Sequence, residues 1–179
     1  MVLLRNANEN DFSAILHLND AVVQQTSPMD LDGLRFLHSL ACFHQVATIG
    51  GQVAGFLLTL REGTAYQSDN YLWFQSRYPQ FIYIDRVVVG AEFAGQGVGS
   101  SLYRALLEFA AASDISVVAC EFNLEPPNPA SRAFHARFGF REVGRQWISG
   151  GTKLVSLQVV DPHAHLKPLA RAGMPRSGA

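Results

Sequence analysis

Cysteine is scarce in this chain: Cys42 and Cys120 are the two in 179 residues, and they form no Cys-x-x-Cys pair. That matches neither a zinc site nor the disulfide framework of a small secreted domain, so each is read as a small buried hydrophobe within an apolar run. An excess of charge of either sign is also missing, with a formal net charge of -1. Nucleic-acid binding leaves a basic footprint and a membrane anchor leaves a polybasic cluster. Neither partner is expected. No apolar run approaches the ~20 residues that span a bilayer. The start, Met1-Val2-Leu3-Leu4-Arg5, lacks a long apolar segment with a cleavage site. No signal peptide is therefore expected, and the location is read as cytoplasmic. The Gly-x-x-x-x-Gly-Lys-Ser/Thr of a P-loop is absent. His163 and His165 have ligand-like spacing but no companions, so they are read as solvated and no metal is expected.

Apolar residues make up 48% of the chain, enough for one domain with a proper core. Residues 2–5 read as a first strand. Asn10 and Asp11 start a helix carrying Phe12, Ile15 and Leu16, and Asp30 starts a second carrying Leu34 and Leu37. Two β-rich runs, 44–49 and 52–60, flank Gly50-Gly51, a hairpin signal because tight turns need positive φ. Residues 61–80 read as a long aromatic loop with Tyr66, Tyr71, Trp73, Phe74 and Tyr78. A strand at 81–89, a helix to residue 112 and a strand at 115–122 follow. Asn128 caps a further helix that Gly139 ends. Strands at 140–148 and 153–160 close the pattern. The fold expected is α/β (α+β): a mixed, mostly antiparallel twisted sheet with helices on both faces, over residues 1–160. Residues 161–179 are expected to be a mobile tail rich in Pro and Gly.

Two segments carry chemistry. In the first, the strand Val87-Val88-Val89 runs into Gly95-Gln96-Gly97-Val98-Gly99-Ser100, where a helix begins. First-turn amides are free and the helix end is partly positive, so glycines there let a pyrophosphate approach the backbone. A tight turn with no ligand is the plainer alternative. Its position after antiparallel hairpin signals counts against a dinucleotide fold. The second segment is Asn128-Pro129-Ala130-Ser131-Arg132-Ala133-Phe134-His135-Ala136-Arg137-Phe138-Gly139-Phe140.

With both in view, the chain resembles the GCN5-related N-acetyltransferase (GNAT) superfamily. That family carries Arg/Gln-x-x-Gly-x-Gly/Ala after its fourth strand, matched by Gly97 and Gly99. It also carries Asn-x-x-Ala-x-x-(apolar)-Tyr-x-x-x-Gly-Phe, matched by Asn128, Phe134, Gly139 and Phe140. The resemblance implies that acetyl-CoA is the cosubstrate. The amides of Gly95, Gln96, Gly97, Val98, Gly99 and Ser100 would hold its pyrophosphate, the edge at Val87, Val88 and Val89 would pair with pantetheine, and Asn128 would help hold the coenzyme. It also implies a V-shaped opening between the fourth and fifth strands. Ala94 stands where the family has Arg or Gln, and Ser131 where it has Ala. His135 stands where the family often has the tyrosine that protonates the departing thiolate.

Amine acetylation needs a base for the amine proton and an acid for the sulfur. Asp85 and Glu121 are the base candidates, because a carboxylate among apolar strand residues is costly unless paired or used. An ion pair to Arg86 is the plain alternative for Asp85. His135 is read either as the acid or a coenzyme contact, or as a packing residue. The acceptor expected is a small-molecule primary amine, taken by direct attack in a ternary complex. A protein N-terminus or lysine, and a non-catalytic acyl-CoA sensor, stay open. Edge strands near the C-terminus suggest a homodimer.

Overall fold

The computed structural model describes residues 1–166. Of the tail expected from residue 161, all but its first six residues lie outside the described residues. Among the described residues, seven strands form one sheet: β1 (Leu3–Asn6), β2 (Ala41–Ile49), β3 (Gln52–Arg61), β4 (Ile82–Val89), β5 (Val118–Glu125), β6 (Arg141–Ile148) and β7 (Lys153–Val160). Their order is β1-β2-β3-β4-β5-β7-β6. Every adjacent pair is antiparallel except β4 with β5. The helices are α1 (Phe12–Ala21), α2 (Leu31–Leu40), α3 (Asp69–Gln75), α4 (Val98–Ala112), α5 (Pro129–Arg137) and α6 (Pro162–Leu166).

Local chemistry sets the helix starts. Asn8 accepts from the Asn10 amide while Asp11 accepts from the Asn8 amide, a reciprocal cap two residues ahead of the expected start. Asp30 caps α2 by accepting from Gly33 N at 2.8 Å. Gly50 and Gly51 take φ of 58° and 85°, as the β2–β3 hairpin requires.

Side chains alternate across the strands and build a core on each face. One packs Phe12, Ile15, Leu34 and Leu37 with Tyr71 and Phe74 against Phe56, Tyr83, Ala119 and Leu157. The other packs Leu102, Leu106 and Leu107 of α4 against Leu57, Ile82, Val118 and Cys120. Cys120 is buried as expected, whereas Cys42 is half-buried with its thiol against Thr59.

Three expectations need correction. The 61–80 stretch is not all loop, because it contains α3, whose Tyr71 and Phe74 are fully buried one helical turn apart. The strand expected from residue 115 begins at Val118. Asp114, at φ 56°, ends α4, and Ile115 N bonds back to Ala110 O. Residues 162–166 are helical and lie against α4, and His163 is half-buried near Asp114. Among the described residues, no helix is long and apolar enough to cross a membrane.

Candidate active site

β4 and β5 are joined only at their starts, Ile82 to Val118 and Tyr83 to Ala119. Beyond that point β4 keeps β3 as partner out to Val89, and β5 keeps β7 out to Glu125. The two strands therefore diverge, leaving the β4 edge at Val87, Val88 and Val89 unpaired on the β5 side. A cavity of about 350 Å³ occupies the gap, lined by residues of both faces, including Tyr83, Asp85, Glu121, Tyr103, Asn128 and His135.

The glycine loop stands at the end of β4. Gly95 and Gly97 have φ of 76° and 81°, and a Cβ at either would project into open space. The glycines are thus needed for conformation, and the surface above them is clear. Gly97 is the N-cap of α4 with no side-chain cap. The first helical bond runs from Ser101 N to Gly97 O, leaving the Val98, Gly99 and Ser100 amides as the orphan donors of the first turn. Gly55 was not singled out in the sequence. A Cβ there would lie 2.6 Å from Val88 O and 2.9 Å from Val98 Cγ1, so its absence lets β3, β4 and the start of α4 meet.

Strand alternation sorts the chemical groups by face. Glu121 lies two residues past Ala119, on the side of α1, α2 and α3. Tyr83 of β4 donates to Glu121 Oε1 at 3.0 Å. Glu121 Oε2 is buried with no hydrogen-bond partner among the described residues. Burial pushes this carboxyl up to about 8. Tyr83, Asn70 and Arg86 favour its charged form, and Asp85 opposes it.

Asp85 occupies a β-bulge: Leu58 pairs with Arg86 and Thr59 with Ile84, leaving Asp85 between. Arg86 Nε donates to Asp85 Oδ2 at 2.6 Å, with both side chains nearly inaccessible. Arg86 also reaches Asn19 and Ser27. Asp85 is therefore in the ion pair foreseen as its plain alternative.

His135 is buried on the opposite face, among α4 and α5. Its Nδ1 lies 2.7 Å from Ser131 O, a pure acceptor, so Nδ1 carries the proton. Nε2 then accepts from Tyr103 O–H at 2.8 Å. Burial holds the imidazole below its ordinary range, so it is neutral with both nitrogens engaged. That geometry leaves it no proton to give a thiolate and favours the packing alternative. Asn128 caps α5 by accepting from Ser131 N at 3.1 Å.

The aromatic segment divides. Tyr71 and Phe74 are core, whereas Tyr66 lines the cavity with Asn70. The rim is bridged where Lys153 of β7 donates to Gln24 O in the α1–α2 connection. Among the described residues, no cluster of three or more His, Cys, Asp or Glu could hold a metal.

The mixed sheet thus splays beside a helix N-terminus, with a buried carboxyl oxygen on one face of the gap. The model of the Acetyltransferase (GNAT) family matches residues 8–140, and the chain belongs to that family. It is 43% identical over 58 residues to phosphinothricin N-acetyltransferase of Streptomyces coelicolor, a stretch covering 32% of this chain and 33% of that relative. The match thus spans about a third of the relative's length. Among solved structures it is similar to Arabidopsis thaliana NAA60 in complex with a bisubstrate analogue, with a TM-score of 0.72, 15% identity, and coverage of 90% of this chain and 98% of that one. It is also similar to yncA of Salmonella typhimurium with its cofactor acetyl-CoA, with a TM-score of 0.69, 19% identity, and coverage of 96% and 99%. At these identities the structural likeness establishes the fold.

Proposed function

We propose that the protein transfers an acetyl group from acetyl-CoA to the primary amine of a small molecule, by direct attack in a ternary complex. The observation that carries this reading is the unpartnered Glu121 Oε2, buried on the α1–α3 face of the β4–β5 opening. The glycine loop lies at the end of β4, where the helix starts.

The residues present fit a coenzyme. The amides of Gly95, Gly97, Val98, Gly99 and Ser100 suit a pyrophosphate, whereas the Gln96 amide already donates to Phe93 O at 3.3 Å; the free edge of Val87, Val88 and Val89 suits an extended amide chain. The bound thioester supplies an electrophilic carbonyl. As the amine nitrogen bonds to the carbonyl carbon, Glu121 Oε2 takes its proton and Tyr83 fixes the other oxygen; the C–S bond then breaks and coenzyme A leaves as a thiolate that takes its proton from solvent. A carboxyl titrating near 8 suits a base working near neutral pH. Asp85 serves by compensating Arg86. His135 holds Tyr103, and Asn128 shapes the start of α5. The bridged rim and modest cavity favour a small acceptor over a polypeptide. The relative that acts as a phosphinothricin N-acetyltransferase supports the same choice.

The test is thiol release from acetyl-CoA with pooled small amines in one arm and peptides with free N-termini in the other. Release with small amines alone is expected. Release with peptides alone overturns the acceptor class, and acetyl-CoA binding without turnover on any amine makes the protein a sensor.

A further inference from the structure

Strand β6 is an edge of the sheet, three strands from β4, yet it reaches the proposed base through α3. Gln146 Nε2 donates to Asn70 Oδ1 at 2.6 Å across 76 residues of sequence. Two residues earlier, Gly144 faces Trp73 so closely that a Cβ would lie 2.6 Å from its Cζ2. Gln146 sits opposite Val155, on the face that holds Tyr71 and Phe74. The edge strand therefore grips α3 at two points.

Asn70 is buried, 5% exposed, at the first turn of α3. An asparagine offers one acceptor and one two-proton donor on opposite branches. With Oδ1 committed to Gln146, the donor branch is left for the cavity that Asn70 and Glu121 both line, where Asn70 favours the charged form of Glu121. We propose that Gln146 is a positioning residue for Glu121, acting through Asn70 by holding the asparagine amide with its donor toward the carboxylate. The inference rests on the reading of Glu121 as base. Other groups facing Glu121 are Tyr83, Asp85 and Arg86 of β4, Tyr66 ahead of α3 and Tyr103 of α4.

Gln146→Glu gives the sharpest test because it is nearly isosteric. A carboxylate at that position accepts rather than donates, so Asn70 must turn its donor outward and its oxygen toward Glu121. Gln146→Leu frees the amide without pinning it. The readout is the Glu121 carboxyl titration, followed by carbon NMR of the full chain labelled at glutamate Cδ and assigned with Glu121→Gln. The midpoint is expected to rise by about one pH unit in Gln146→Glu and by less in Gln146→Leu, about a tenfold change in the ionisation constant for the former. A companion variant, Arg145→Gln, alters a neighbouring exposed side chain and should leave the midpoint in place. Unchanged midpoints in both Gln146 variants, with folding intact by circular dichroism, overturn the inference. Failure of the base reading shows separately, as undiminished thiol release in Glu121→Gln.

Discussion

Replacing Glu121 by Gln should lower turnover and raise stability at the same time. The folded carboxyl titrates near 8 against an ordinary value of 4.5, and burial is the largest cause. A raised carboxyl binds its proton in the native state over a window in which the unfolded chain has lost it. Stability therefore falls as pH rises from about 4.5 to about 8, and above that the protein carries a buried charge. Gln keeps an oxygen for the Tyr83 hydroxyl and removes the charge. Each pH unit of displacement is worth about 1.4 kcal/mol. Relief of even one unit, after allowing for the weaker bond from Tyr83, raises the melting midpoint by about 3–5 °C in a chain of this size. The assay is thermal unfolding of wild type and variant at pH 5 and pH 9. The gain should be large at pH 9 and shrink to a small remainder at pH 5. A variant less stable than wild type at pH 9 would refute the claim that Glu121 is a strained, desolvated acid.

Other expected outcomes are simpler. Gly97→Ala forces a side chain into φ 81° at a cost of about 1–2 kcal/mol, so acetyl-CoA affinity by calorimetry should fall about tenfold. Gly55→Ala drives a Cβ into the Val88 carbonyl and should cost about 1–3 kcal/mol in urea unfolding. His135→Ala removes the acceptor of the buried Tyr103 hydroxyl. It should cost about 1–3 kcal/mol while leaving the pH midpoint of turnover in place. A moved midpoint would return His135 to proton transfer. His44 is buried beside His38 and held down to about 4. The unfolded chain therefore binds a proton there that the native state refuses, and stability should drop as pH falls from about 6.5 to 4. His44→Phe should flatten that slope in acid unfolding.

Much of the fold was legible because its signals are local. Residues 155–159 alternate apolar and polar, the strand expected at 153–160 forms β7 with those bounds, and Gly50-Gly51 is a turn. The glycine loop and the Asn128 cap were visible for the same reason. Helix α3 was hidden because two turns are too short to show a period, and its aromatics read equally well as loop packing. The chemistry of the cavity was only half legible. Glu121 and Asp85 stood out as carboxylates in apolar strands, but a bulge decides that Asp85 faces Arg86, and a bulge in β4 leaves no sequence mark. Tyr83 meets Glu121 across 38 residues, and Tyr103 meets His135 across 32. Such pairings depend on sheet order and on which face each helix covers. The resemblance set His135 against a tyrosine, yet its two hydrogen bonds favour a packing part.

The most direct test is an amide NMR titration of the full chain with acetyl-CoA. The expected result is that the shifted amides cluster at residues 95–100 and at Val87, Val88 and Val89, with little change in the β2–β3 hairpin. Shifts confined to another surface, or no shifts at millimolar acetyl-CoA, would contradict placement of the coenzyme at the β4–β5 opening.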